Sequence, residues 1–475
     1  MKYHTKFAYP FLVALFFITG VAQSASLYLP LNMSPEIEAR VERLFVLANM
    51  PIIKRPIPIQ EVYRALDKLG DGDPNLSASI RSYLERYSPR ISITHASVNA
   101  TASQGENQLL ANQRGLESDS TYSASASGYL VATPWLLVNV GGQIHESEFK
   151  KDEFPDGTFI SIGTDYLQVD IGNRPHWFGP FQDSDMLLSS NASATPGITL
   201  SNAAPLSLFG IRYEFFLAQM SESDGILSQD RTKRLTGNPR LFGMHVSFEP
   251  AEGFAIGFNR LMQYGGADRD DSYSSLFKAF FNAKKTDNID EEGVDFGNQL
   301  SSIATRYTFT GKFPVSVYME YGGEDTSFSS NYHLGNTALM LGVHLPKLTS
   351  FLDFNYEYAE WQNGWYVNNN YRDGLRQYET GMGHWGANNR IFSDAVGATA
   401  QTAKLIWDIA NGHSLTTRWR HIQNENYSNV DYKSGEEWML EYAYGAGPFI
   451  VGATLTTGRT VFDEDYSMLS GFFRW

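Results

Sequence analysis

From Arg90 onward the chain alternates with a period of two, and its connections alternate between tight and long. Phe351 or Leu352, Phe354, Tyr356 and Tyr358 alternate with Asp353, Asn355 and Glu357, and Phe313, Val315, Val317, Met319 and Tyr321 alternate with Ser316, Tyr318 and Glu320. This is the period of a strand with two unlike faces. A soluble sheet with one wet face gives the same pattern, so the period alone leaves the medium open. The connections close that question. Working back from Trp475, tight turns (GAGP near 446, ANGH near 411, PKLT near 347, TGK near 311, EPAEG near 251, TP near 133) alternate with long polar stretches at 424–435, 361–393, 323–334, 264–298, 218–239, 148–163 and 103–118. Short turns on one side and long loops on the other define a transmembrane outer-membrane barrel. The predicted fold is therefore all-β, an antiparallel closed barrel.

About 16 strands can be placed in this way, near 90, 120, 135, 165, 206, 240, 253, 299, 313, 335, 349, 395, 413, 435, 448 and 466; 18 are also compatible with the length, since a spanning strand takes about 9 to 11 residues. One segment, 174–205, breaks the rule. Parity assigns it to the periplasmic side, yet it is far too long for a tight turn. It either hides a further hairpin, which raises the count to about 18, or folds into the lumen. The last residues, YSMLSGFFRW, place Phe473, Gly471 and Leu469 on one face behind an aromatic terminus, a pattern similar to the insertion signal of bacterial outer-membrane barrels.

The start of the chain obeys other rules. Lys2 and Lys6 precede the apolar run 7–19 and the small residues GVAQSAS, which reads as a secretory signal peptide over 1–25, cleaved after Ala22 or Ala25. The run falls short of the roughly 18 residues that a membrane anchor needs. Residues 26–89 read as a periplasmic helical bundle. Ser34–Pro35 starts a first helix with Ile37, Val41, Leu44, Phe45 and Ala48 on its stripe; Pro58 starts a second with Ile59, Val62, Tyr63 and Leu66; Asp73–Pro74 starts a third with Leu76, Ile80, Leu84 and Tyr87. Residues 90–475 form the barrel.

Composition removes several classes of function. With no cysteine, thiol catalysis, disulfides and cysteine metal sites are excluded. The formal charge of −15 becomes −17 once the two lysines of residues 1–25 are removed, which speaks against nucleic acid as a partner. There is no G-x-S-x-G motif and no metal-type His pair at i, i+4, so an enzyme is not expected, and no cofactor is expected either.

The anomalous segment IGNRPHWFGPFQDSDMLLSSNASATPGITL (171–200), through Gly172, Trp177, Gly179, Pro180, Leu187, Ser189, Asn191, Pro196 and Gly197, resembles the signature of the Wzi family of capsule-assembly outer-membrane proteins. FGMHVSFEPAEGFAIGFNRLMQYGG (242–266), with Arg260, Gln263, Gly265 and Gly266, continues the likeness, as do SLFKAFFNAKKTDN, GNQLSSIATRY and YGGED between 275 and 325. The chain departs from the family at Trp177-Phe178, where two Trp are expected, and at Phe181 and Gln182, which replace a glycine-rich continuation. The resemblance implies an 18-stranded barrel closed by an amino-terminal helical bundle, acting as a surface lectin for capsular or related exopolysaccharide. Outer-membrane lipid is the second expected partner, and the bundle is placed to touch periplasmic capsule-export components.

Within that expectation, the loop 361–394 carries the mixture a lectin needs. Aromatic rings stack on sugar C–H faces, while amides and guanidinium forks pair with hydroxyls and carboxylates. The candidate polysaccharide-binding residues are Trp365, Tyr366, Tyr371, Arg372, Arg376, His384, Trp385 and Arg390. The competing reading makes Trp361 and Trp365 part of the membrane-interface girdle, with the remainder a self-packed loop. His176, Trp177, Phe178 and Asp183 are expected in the lumen or plug segment, with His176 a packed histidine rather than a catalytic base. In the loop 264–298, Leu276, Phe277, Phe280 and Phe281 form an amphipathic helix expected to pack into the barrel mouth. The acidic residues around it read as a solvated loop rather than a Ca²⁺ site. The functional alternative is a diffusion porin, because a barrel of this size is wide enough for water.

Overall fold

The computed structural model describes residues 25–146, 153–281, 296–326 and 334–475; the predicted signal peptide lies outside them except for Ala25. Three helices open the described chain: α1 (Pro35–Leu47), α2 (Ile59–Leu69) and α3 (Pro74–Leu84). Pro35 and Pro74 occupy first-turn positions, and the Asp73 carboxylate accepts the Leu76 N–H at 3.1 Å. The apolar stripes meet one another: Val41, Leu44, Val62, Leu66, Ile80 and Leu84 are buried in one cluster. Tyr63 is the exception. It is exposed at the edge of that stripe, about 100° round the helix from Val62.

Among the described residues, eighteen strands close into one antiparallel barrel, counting Glu153–Phe154 and Phe159–Thr164 as one interrupted strand because both pair with Leu136–His145. The first strand, Ile91–Gly105, closes on the last, Asp465–Arg474, in register from Ser97 opposite Arg474 to Gly105 opposite Tyr466. Trp475 is fixed as well, its N–H donating to Ala96 O at 2.8 Å beneath the Arg86 guanidinium.

The faces identify the medium. Asp353, Asn355, Glu357, Ser316, Tyr318 and Glu320 are buried toward the lumen, while Val317, Met319, Tyr321, Leu469 and Phe473 are exposed. A soluble sheet would bury the second set. A wall with polar groups inside and apolar groups outside is built for lipid, and no helix among the described residues is long and apolar enough to cross a membrane.

The two strands missed by the sixteen-strand reading lie around the anomalous segment. Most of the predicted long loop 148–163 is a strand from Glu153 that runs to Thr164 and turns at Asp165–Tyr166 into Leu167–Gly172, and Gly197–Ser201 precedes Arg212–Gln219. Phe159–Thr164, Leu167–Gly172 and Gly197–Ser201 are short, which leaves too few residues for alternation to register. The extra hairpin reverses the parity, so residues 173–196 join the ends of two strands on the long-loop side. They also fold into the lumen, so both resolutions of the anomaly hold. PKLT belongs to the end of the strand Leu334–Thr349, where the register shifts, and the turn itself is at Ser350–Phe351.

Candidate functional site

The lumen is filled from both ends and joined in the middle. From the side of the short turns, the bundle inserts Lys54–Arg55, which pairs as a small sheet with Trp177–Phe178 of the descending segment. Phe178, Phe181, Met186 and Leu187 are completely buried around this joint. Gly179 makes the bend possible. Its φ is +141°, and a side chain there would collide with the Asp185 carboxylate. That carboxylate accepts from Trp177 Nε1 at 3.1 Å and from the Phe181 and Met186 N–H groups.

Charge pairs tie the segment to the wall. Glu214 receives Lys54 at 2.7 Å, Arg174 at 3.0 Å and His176 Nδ1 at 2.6 Å, and the imidazole stacks on Phe216 with 4.1 Å between centroids. Burial holds His176 below its ordinary pKa, so the neutral ring donates through Nδ1. Asp183 accepts a fork from Arg420, at 2.7 and 3.0 Å, and the Thr402 hydroxyl at 3.1 Å. Burial would raise its carboxyl, but the Arg420 and Arg418 charges outweigh burial and hold it well below the usual range. Glu357 accepts the N–H groups of Gln182 and Asp183 at 2.7 and 3.1 Å. His176, Trp177, Phe178 and Asp183 therefore all lie in the lumen.

From the opposite side the loop 362–397 turns inward to meet this segment. Tyr366 donates its hydroxyl to Met186 O and accepts the His384 N–H at 2.8 Å. Ser184 Oγ accepts the Trp385 N–H at 2.9 Å, and Ser189 Oγ donates to Gly383 O at 2.8 Å. The eight candidate sugar-contact residues consequently do not share an exposed face. Trp365 is 0% exposed, and Tyr366, Tyr371, Arg376, His384, Trp385 and Arg390 are also buried. Arg376 donates to Ala387 O and Glu379 O at 2.6 and 2.9 Å, Arg390 donates to Val396 O and Trp365 O, and Tyr371 donates to Gly265 O at 3.0 Å. The Tyr371 hydroxyl and the two guanidinium groups hold backbone carbonyls, and the rings of the group are buried, so in this arrangement they offer no face to a polymer outside. Arg372 alone reaches the surface, its side chain 48% exposed beside Asp224 at 2.6 Å. Trp361 is buried too, not part of a lipid girdle; it packs against His384 and Tyr366.

Sequence reasoning missed the element beside Arg372. Residues 220–239, assigned only to a loop, form a hairpin of Ser223–Leu227 with Arg234–Gly237. Its tip exposes Arg231, Lys233 and Arg234. Arg234 donates to Gly225 O at 2.7 Å, and partial burial together with the neighbouring Arg372 charge lowers its pKa. Three cations in four residues of an acidic chain were the available signal.

The predicted helix after Asp271 is present as α4 (Tyr273–Phe281), but it does not enter the mouth. Leu276 and Ala279 pack on Met262 and Tyr264, which belong to the outward face of the strand Phe254–Tyr264. The inward face is already occupied: Gln263 donates to Gly374 O of the loop, so the barrel exterior is the apolar surface left for the helix. Of the acidic residues around it, Asp287, Asp290, Glu291, Glu292 and Asp295 lie outside the described residues.

Comparison with known proteins agrees with this construction. A solved Escherichia coli structure, Wzi, described as an outer-membrane protein involved in group 1 capsule assembly and a carbohydrate-binding β-barrel, superposes with a TM-score of 0.70 at 15% identity, covering 95% of this chain and 99% of that one. Pseudomonas aeruginosa OpdQ aligns with a TM-score of 0.49 at 12% identity, covering 81% of this chain and 96% of that one, too distant to carry an inference. A Klebsiella pneumoniae protein described as an uncharacterized 55.8 kDa protein in the cps region is 22% identical over 294 residues, 59% of this chain. The match spans 55% of that relative's length. The barrel is one of the bacterial outer membrane, with its long connections facing outward. The model of the capsule assembly protein Wzi family matches residues 91–462, and the chain belongs to that family.

Proposed function

We propose that this protein is a sealed outer-membrane lectin, which attaches capsular or related exopolysaccharide at its outward face and passes nothing through its lumen. The observation that carries the reading is the pairing of a filled lumen with an exposed cationic tip. Arg231, Lys233 and Arg234 are exposed on one hairpin, and Arg234 lies beside Arg372, itself paired with Asp224, on the outward side of a chain whose net charge is strongly negative. Guanidinium forks match carboxylates and vicinal hydroxyls, so this cluster suits an acidic sugar polymer. The carbohydrate binding described for the Escherichia coli relative supports the same class of ligand. Trp365, Tyr366, Tyr371, Arg376, His384, Trp385 and Arg390 serve the site from beneath, by holding the loop closed and Arg372 at the surface. The chemistry is binding rather than catalysis, and the bundle on the other side is the part positioned to meet periplasmic capsule-export components.

The experiment compares cell-bound with released polymer in a deletion strain complemented by wild type or by Arg231→Ala/Lys233→Ala/Arg234→Ala/Arg372→Ala. Deletion is expected to release polymer with total synthesis unchanged. Wild type restores retention, and the quadruple variant inserts normally but leaves polymer in the medium. Polymer that stays on the deletion strain contradicts the tether; full retention by the quadruple variant contradicts the tip as its site.

A further inference from the structure

The helix α4 carries a stripe that its packing does not use. Tyr273, Phe277 and Phe281 recur every four residues, one face of a helix, and are 59, 63 and 78% exposed. The opposite face is buried on the outside of the barrel wall. Phe280 meets Phe242 edge-on at 5.9 Å, and Leu276 and Ala279 lie with Met262 and Tyr264. Phe242, Met262 and Tyr264 occupy the lipid side of their strands, the side that carries exposed Phe258, Ile303 and Tyr321 lower down the same wall.

The direction of the helix is fixed by its ends. Ser272 caps the start, its hydroxyl accepting the Ser275 N–H at 3.2 Å, near the rim where Arg240 pairs with Asp271 at 2.6 Å. Ala279 and Phe280 lie lower, beside Arg260. Backbone carbonyls near lipid are tolerated where protein groups satisfy them. Arg260, itself on the lipid face, donates to Phe280 O at 2.9 Å and Ala279 O at 3.3 Å, and is braced by Gln299 Oε1 at 2.6 Å. Lys278, the one cation of the helix, is also exposed and has a stem long enough to reach lipid head groups.

We infer that α4 is an interfacial helix on the outer wall of the barrel, with Tyr273, Phe277 and Phe281 seated among the acyl chains of the outer leaflet and Arg260 holding the carbonyls of Ala279 and Phe280 to the wall. This inference is independent of the polysaccharide reading. It fixes one flank of the barrel in the membrane and sets the height of the adjoining loops.

The native chain has no cysteine, so Phe277→Cys in the full-length protein gives a single labelling position. An environment-sensitive fluorophore there, in proteoliposomes, is expected to be quenched by nitroxide on lipid acyl chains and severalfold less by aqueous iodide than the same label at Tyr427→Cys on the loop 425–434. Tyr273→Cys, nearer the rim, is expected to show shallower acyl quenching and reports independently if Phe277→Cys fails to insert. Arg260→Met is expected to free the helix, raising iodide access at position 277 while the barrel stays folded. Equal iodide access at positions 277 and 427 overturns the inference. So does a label silent to both quenchers whose self-transfer grows with protein density, because a second copy would then cover the stripe.

Discussion

The two stoppers of this barrel are built from different forces. The lower one is fastened by charge. Glu42 of α1 bridges Arg55 and the wall residue Arg306, Lys54 reaches Glu214 at 2.7 Å, Arg212 reaches Glu61 at 2.7 Å, and Arg474 reaches Glu36 at 2.8 Å. The upper one, the loop 362–397, rests on buried rings and on arginines that grip its own carbonyls. Ion pairs withdrawn from water are costly to form and more costly to break singly, whereas aromatic packing yields in smaller local steps. The difference assigns permanence to the bundle end and leaves adjustability at the outward end, the face proposed to meet the polymer.

Removing the Glu42 carboxylate gives the largest expected effect. Its pKa is held down to about 2: burial opposes ionisation, but the Arg55 and Arg306 charges prevail. Glu42→Ala would strand both guanidinium groups, at a cost of about 4 to 5 kcal/mol. Thermal unfolding followed by gel mobility is the check, and a loss no larger than that of an upper-loop variant would break the comparison. Trp365→Ala, at the centre of the upper stopper, is expected to cost about 3 kcal/mol and to act locally. Protease should cut within 362–397 while the barrel remains folded.

The pH dependence of the upper stopper sharpens the contrast. Burial pulls His384 down to about 3, with Asp183 and Arg420 as opposing neighbours. An imidazole that resists protonation when the loop is closed and takes a proton near its ordinary value when open favours the open form as pH falls. Closure is therefore complete above about pH 6.5 and weakens progressively toward about 3, by about 2 kcal/mol at pH 5. Protease sensitivity of the loop should rise on acidification, and His384→Gln should flatten that rise. The smallest expected change in stability is that of Arg372→Ala. Its pair with Asp224 is exposed and contributes less than about 1 kcal/mol, so the unfolding midpoint should stay put while retention of polymer falls.

The sequence carried the barrel because lipid imposes an unusually strict grammar. Every long strand such as Leu352–Trp361 shows its two faces, and turns such as Gly412 and Gly447, both at positive φ, mark one side. The helices were equally legible from Pro35 and Asp73, since caps and apolar stripes are local. The site was not. Trp365 and Trp385 have the composition of a sugar platform, yet their surroundings are supplied by Ser184, Met186 and Ser189, nearly two hundred residues away. Likewise, nothing local distinguishes a helix packed inside the mouth from one packed outside; Arg260 and Gly374 decide it. The lumen segment was found because it violated parity, while its wall partners Glu214 and Arg420 looked like ordinary polar strand residues.

The most direct test of a barrel closed at both ends is single-channel recording of the purified wild-type protein in planar bilayers at neutral pH. The account predicts a flat baseline, with discrete current steps appearing only when a stopper is loosened, as in Glu42→Ala. Stable, porin-like conductance from the wild type would contradict it.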